Sequence, residues 1–234
     1  MKYQDLLQQL FGTKINYSVD DNVLLGEVAF DNQQFSICGV VNAAQLDNVM
    51  SLKLAKFILD KVKLNPKLNL LIFIDTGGQK TSRQAELLGL NRYFAHLIKV
   101  IHYARAKGAR VFSLVYGSAL GGAFIAAGLN AEKVYALAEA QIAVMWLEAM
   151  SRVTKIPLAK LEELSKHSAI FAPGAENFVK LGVVDKIIDP AAFLPQIIKD
   201  IEDTAPSINH WRELATIRGG RTLADKVVNQ IIDA

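Results

Sequence analysis

Hydrophobic and polar positions follow two regimes along this chain. Some apolar runs are unbroken and too short for a helix; other stretches carry apolar residues every three or four positions. Residues 68–74 and 111–116 are of the first kind, and each reads as a strand buried on both faces because neither side of the run is polar. Between them, residues 84–107 repeat helically through Leu87, Leu90, Phe94, Leu97, Ile101 and Ala104, and Gly108 stops the repeat. A second helix is expected from an Asn42 cap to about Lys63, with Val49, Leu52, Ala55, Ile58, Leu59 and Val62 on its apolar stripe. Strand, helix, strand, helix predicts an α/β fold with mostly parallel core strands and right-handed crossovers.

The flanking pattern is less regular. Residues 1–20 predict a short amphipathic helix and a turn; residues 26–30 and 35–41 predict two strands around an Asp31-Asn32 hairpin. Short strands are expected at 133–137, 141–144 and 183–188. Helical segments are expected over 148–168 with a break at Pro157, over 172–180, and over 191–204 with Pro195 in the first turn, where proline is tolerated. We expect one domain over 1–205 and a helical C-terminal tail over 206–234.

Residues 111–127, VFSLVYGSALGGAFIAA, organise the rest: a buried strand runs into a glycine-rich turn and then into small helix formers. Gly117, Gly121 and Gly122 allow backbone angles and close approaches that a Cβ forbids. Amides where such a turn opens a helix can hold an anionic oxygen. Residues 112–131 are long enough for a membrane span, and Gly117-xxx-Gly121 has a membrane helix-packing spacing. Four glycines, two serines and an asparagine around it, without flanking basic clusters, speak against that. Close packing of a buried strand and helix, without chemistry, is the other reading. A second glycine pair, Asp75-Thr76-Gly77-Gly78, ends the earlier strand, and parallel strands bring both ends to one side of a sheet. Gly77, Gly78, Gly121 and Gly122 could then offer amides to a thioester or enolate oxygen. Neither turn has a phosphate-loop or dinucleotide pattern.

Composition narrows the chemistry. A net charge of +3 with interspersed signs gives no reason to expect a nucleic-acid partner. Asp5 and the glutamines near the N-terminus do not suit an export signal, so a cytoplasmic location is expected, without a membrane span. Cys38 is the single cysteine, and its apolar neighbours suggest burial; the four histidines show no metal-ligand spacing. Ser118 lacks the context of a nucleophile. Glu139 and Glu148 follow the central turn and could move a proton, or be no more than caps or solvated carboxylates. Lys53, Lys56, Lys61 and Lys63 either keep a helix face wet or dock an acidic partner.

Asp75-Thr76-Gly77-Gly78, with Arg83, Glu86, Gly89 and Arg92 beyond, resembles the DTPG-x-E-x-x-G segment of acyl-CoA carboxyltransferases, and residues 117–123 resemble their second glycine turn. Residues 175–188, AENFVKLGVVDKII, resemble the LGxVDxII ending of crotonase-like folds. Within that superfamily the chain looks most like gamma subunits of malonate decarboxylase. The resemblance implies a crotonase-like ββα spiral and a homologous beta subunit as partner. It implies a malonyl thioester carried by an acyl-carrier subunit on a phosphoribosyl-dephospho-CoA group, an acyl-transferase subunit, and no tightly bound cofactor. Arg212, Arg218 and Arg221 either approach a phosphate of that group or belong to a solvated tail. Gly77 departs from the family's usual proline, and no proton donor to the enolate stands out. A self-sufficient crotonase acting on acyl-CoA, a biotin-linked carboxyltransferase half-site and a non-catalytic scaffold remain alternatives.

Overall fold

The computed structural model describes residues 1–167, 172–203, 210–220 and 222–233. Helix α1 (Tyr3–Phe11) leads into strands β1 (Ile15–Asp20), β2 (Val23–Phe30) and β3 (Gln33–Leu46), then α2 (Asn48–Leu64) and β4 (Asn69–Gln79). Two helices follow, α3 (Arg83–Leu87) and α4 (Leu90–Ala106), before β5 (Arg110–Leu120) and α5 (Gly121–Ala127). After β6 (Lys133–Ala136) and β7 (Gln141–Ala143) come α6 (Leu147–Thr154), α7 (Leu158–His167), α8 (Ala175–Lys180), β8 (Lys186–Ile187), α9 (Pro190–Glu202), α10 (His210–Ile217) and α11 (Ala224–Ile232).

The strands form one sheet in the order β1-β2-β3-β4-β5-β6-β8, with β7 pairing the far end of β5. Pairing is antiparallel through β1, β2 and β3 and parallel from β3 onward. Both faces of the central strands are covered, as their unbroken apolar runs demand. Leu70, Ile72, Ile74, Val111 and Val115 pack under α2, α4 and α5, whereas Leu71, Phe73, Phe112, Leu114 and Tyr116 pack against α1 and α9. Cys38 is fully buried in the first layer, and burial pushes its thiol up to about 12, so it is a core residue and no nucleophile.

Several boundaries differ from the sequence reading. Strand β3 continues to Leu46, so Asp47 replaces Asn42 as the α2 cap, its side chain accepting from Met50 N–H at 3.0 Å. The buried stripe of α2 is therefore Met50, Leu54, Ala55, Ile58 and Val62, leaving Val49 and Leu52 exposed. The expected long helix over 84–107 is broken at Gly89, which has φ 76°, and Leu87 lies outside the core. Residues 15–20 form a strand rather than a turn, because β2 offers them an antiparallel partner. Pro190 opens α9, and Pro195 falls in its second turn. The Asp31-Asn32 hairpin is present with both residues at positive φ, the geometry that matches strand twist. The lysine face of α2 is paired internally: Lys53 with Asp20 and Asp21, Lys56 and Lys63 with Asp60, Lys61 with Glu27. No helix among the described residues is long and apolar enough to cross a membrane.

Candidate active site at the ends of three parallel strands

Strands β3, β4 and β5 lose their regular pairing at one level. On one side of β4 the register runs to Val40 opposite Ile74 and resumes at Ala44 opposite Thr76; on the other it runs to Val115 and resumes at Ala119. Residues 41–43 and 116–118 thus bulge on either side of Asp75. Asn42 and Ala43 turn through the left-handed region, with φ 63° and 48°. Thr76, fully buried, donates from Oγ1 to the Ala44 carbonyl at 2.8 Å. The expected glycine turns are therefore strand ends: Gly77 and Gly78 lie within β4, and Gly117 within β5.

Glycine is required here by space and by angle. A Cβ on Gly77 would lie 2.7 Å from the Ala43 carbonyl oxygen, and Gly78 has φ 102°. Gly121 has φ 52° where β5 passes into α5, and a Cβ there would lie 2.9 Å from Gln79 Oε1 and 3.4 Å from the Val144 carbonyl. Gly78 and Gly122 thus belong to neighbouring strand ends, as the parallel arrangement predicts. The main-chain N–H of Gly122 donates to Gln79 Oε1 at 3.2 Å, while that of Gly78 makes a 3.3 Å contact with Thr76 Oγ1. Gln79 has no motif position that would have drawn attention to it. Asp75 stood inside the quoted motif, but sequence spacing suggested no role for it.

The proton-transfer candidates occupy the same end of the sheet and are solvent-exposed. Glu139 precedes β7, whose Gln141 sits opposite Ser118, and Glu148 lies in the first turn of α6, shortly after Val144. Ser118 is held through its main chain by Asp75. Tyr116, the first residue of the β5 bulge, is kept protonated by burial and by the negative charge of Asp75. Beside Gly77, a trench of about 560 Å³ is lined by Ala44, Gln45, Asp47 and Lys80 among others. It adjoins a smaller cavity of about 220 Å³ that shares Asp47 and Lys80 and ends at Ser82 and Leu88.

Arg212 and Arg218 sit elsewhere. Arg218 donates to the carbonyls of Val179, Val184 and Asp185 at 2.9–3.0 Å, and Gly220 packs directly on the Lys180 carbonyl. Arg212 is paired with Asp225 at 3.7 Å, and Arg221 lies outside the described residues, as does the expected boundary at residue 205. Arg218 thus fastens the tail to the loop after α8, a role that sequence reading missed.

Comparison with known proteins gives the fold and the family. Residues 42–234 match the family model of the malonate decarboxylase gamma subunit. A malonyl-S-ACP:biotin-protein carboxyltransferase of Malonomonas rubra is 31% identical over 173 residues, covering 68% of this chain; the chain spans 59% of that relative's length. The fold is similar to a Pseudomonas malonate decarboxylase hetero-tetramer in complex with coenzyme A, with a TM-score of 0.78 at 18% identity over 96% of this chain and 97% of that one. It is also similar to a Pseudomonas malonate decarboxylase MdcD-MdcE hetero-dimer, with a TM-score of 0.77 at 19% identity over 97% and 96%. Transcarboxylase 12S matches with a TM-score of 0.71 at 24% identity over 88% of this chain and 43% of that one. The mixed sheet is thus the crotonase-like carboxyltransferase fold, and the chain belongs to the malonate decarboxylase gamma subunit family.

Proposed function

We propose that this chain forms, with a homologous beta subunit, the site that decarboxylates a malonyl thioester on an acyl-carrier subunit. The observation that carries the reading is the convergence of Gly77-Gly78 and Gly121-Gly122 at the ends of adjacent parallel strands. When the carboxyl–Cα bond breaks, carbon dioxide leaves and the electron pair moves onto the thioester oxygen as an enolate. Main-chain N–H groups aimed at that oxygen lower the barrier, and one donor typically contributes about 3 kcal/mol. The substrate oxygen takes the place of Gln79 Oε1 at the Gly122 N–H. A proton then returns to carbon, with Glu139 and Glu148 as this chain's candidates.

The trench, about 560 Å³ in volume, is where a thioester arm would lie in this reading; Lys80, paired with Asp47 at 3.2 Å, would exchange that partner for an anionic carrier group. Leu88, Val144 and Met145 are exposed around the site, apolar surface that a second subunit would cover. An acyl-transferase subunit loads the carrier in this reading, and the tail serves the assembly through contacts that Arg218 anchors. A biotin-linked half-site is the second reading, favoured by the Malonomonas rubra relative.

Carbon dioxide release from a malonyl-thioester carrier distinguishes these, measured with this chain alone, the sister subunit alone and the co-expressed pair. Release from the pair without a biotin carrier supports the proposal; full release from this chain alone makes it a self-sufficient enzyme; a strict biotin requirement selects the second reading. Gly78→Val and Gly122→Val should each lower turnover about a hundredfold by displacing the donors, while sparing assembly. Unchanged rates would leave a scaffold.

A further inference from the structure

Asp75 answers both bulges with one side chain. Residues 41–43 of β3 and 116–118 of β5 face this single residue of β4. Its Oδ2 accepts from the Ala43 N–H at 2.9 Å and its Oδ1 from the Ser118 N–H at 2.8 Å. Hydrogen bonds to a carboxylate are stronger than neutral ones, so the two strand ends are held firmly to the strand between them. Room for the carboxylate exists only because Gly117 has no side chain: a Cβ there would lie 2.5 Å from Asp75 Cγ. Ala43 at φ 48° holds a conformation that alanine keeps only when its surroundings impose it.

The clamp lies directly behind the proposed donors. Gly77 and Gly78 follow Asp75 on β4, Ala43 is the residue against which Gly77 packs, and Ser118 leads through Leu120 into Gly121 and Gly122. We propose that Asp75 is a positioning residue whose carboxylate sets the spacing of Gly77-Gly78 relative to Gly121-Gly122, so that N–H groups from the end of β4 and the start of α5 meet one substrate oxygen. The catalytic half of this inference rests on the decarboxylase reading above; the mechanical half does not.

The test uses the co-expressed pair and separates the halves. Asp75→Asn keeps the size but turns an amide N–H2 toward one of two main-chain donors. It should lower kcat about a hundredfold, leave KM for the malonyl carrier within about twofold, and speed hydrogen exchange at both Ala43 and Ser118. Gly117→Ala leaves the carboxylate chemically intact but pushes it aside, and should speed exchange at Ala43, two strands away. In an Asp75→Ala background Gly117→Ala should add little further loss, because the space is then free. A lowered thermal midpoint with kcat of the folded pair within about twofold would reduce Asp75 to a stability role and overturn the positioning claim. Unchanged Ala43 exchange in Gly117→Ala would overturn the clamp itself, and that arm reads the same if the pair releases no carbon dioxide or if Asp75→Asn does not fold.

Discussion

At its start β5 carries Arg110 in a cluster of charged side chains; at its finish it passes Gly117 and Ser118 in a cluster of main-chain groups. The first cluster is closed. Arg110 donates to Glu132 at 2.8 Å and to the carbonyls of Asp200, Ile201 and Asp203 at 2.6–3.0 Å, capping the end of α9. Asp200 accepts from Lys133 at 2.6 Å, from Gln196 at 3.1 Å and from the Tyr135 hydroxyl. Burial, with the Asp200 contact, keeps Tyr135 protonated. Glu132 and Asp200 are each 1% exposed, so the charges meet one another and little water.

The second cluster is built from N–H groups, carbonyls and glycine, with positive φ at Asn42, Ala43, Gly78 and Gly121. Its one committed carboxylate, Asp75, binds the backbone, and beyond it the Gly78 and Gly122 N–H groups meet Thr76 Oγ1 and Gln79 Oε1. The contrast teaches how to separate scaffold from site in this molecule. Side chains that satisfy one another hold the fold, whereas backbone bent away from its ladder, at a cost in strain, is what the reacting oxygen would use in the proposed reaction.

Three measurements test that separation, beginning with the largest effect. Asp200→Ala strips the partner from Lys133, Tyr135 and Gln196 and should cost about 3–5 kcal/mol in denaturant unfolding. Turnover by the molecules that remain folded should stay at the wild-type level; a loss as steep as that of the glycine variants would mean that the two ends of β5 are not separable. Arg218→Ala removes three hydrogen bonds from a charged donor and should cost about 2 kcal/mol. Its KM for the carrier should not rise, since the guanidinium serves main-chain carbonyls; a raised KM would restore the phosphate role expected from sequence.

The smallest effect is on Asp47, beside the trench. Burial pushes its carboxyl up, but the Met50 N–H and Lys80 together outweigh that and leave it below the usual carboxylate range. A depressed carboxylate lends stability above its unfolded value, and that stability is lost as pH falls through the folded one. Asp47→Asn should therefore flatten the acid limb of the stability curve by about 0.5 kcal/mol, read by unfolding between neutral and acid pH. A steeper change would mean that Asp47 belongs to a larger charged network than its Lys80 pair.

Much of the scaffold was legible because it rests on local periodicity. The apolar runs of β4 and β5, the hairpin at Asp31-Asn32 and the break at Pro157 each act within a few residues. The glycines were legible too, since few other residues suit such positions. What misled was continuation: Asn42 looks like a cap because an apolar run ends there, yet β3 resumes beyond the bulge and pairs with β4 as far as Leu46. Leu87 fits the helical stripe of α4 but precedes the turn at Gly89 that breaks its phase.

By itself the sequence determined the α/β class, the two apolar faces of the central strands and the glycines that end β4 and β5, because burial periodicity and the freedom of a missing Cβ are properties of short stretches. Tertiary structure alone decided that Asp75 joins residues 32 and 43 positions away, that Gln79 meets Gly122, and that Arg218 clamps the tail. Those contacts depend on the register of three parallel strands and on the docking of the tail. A register is set by packing across the whole sheet, and no short window of residues contains it.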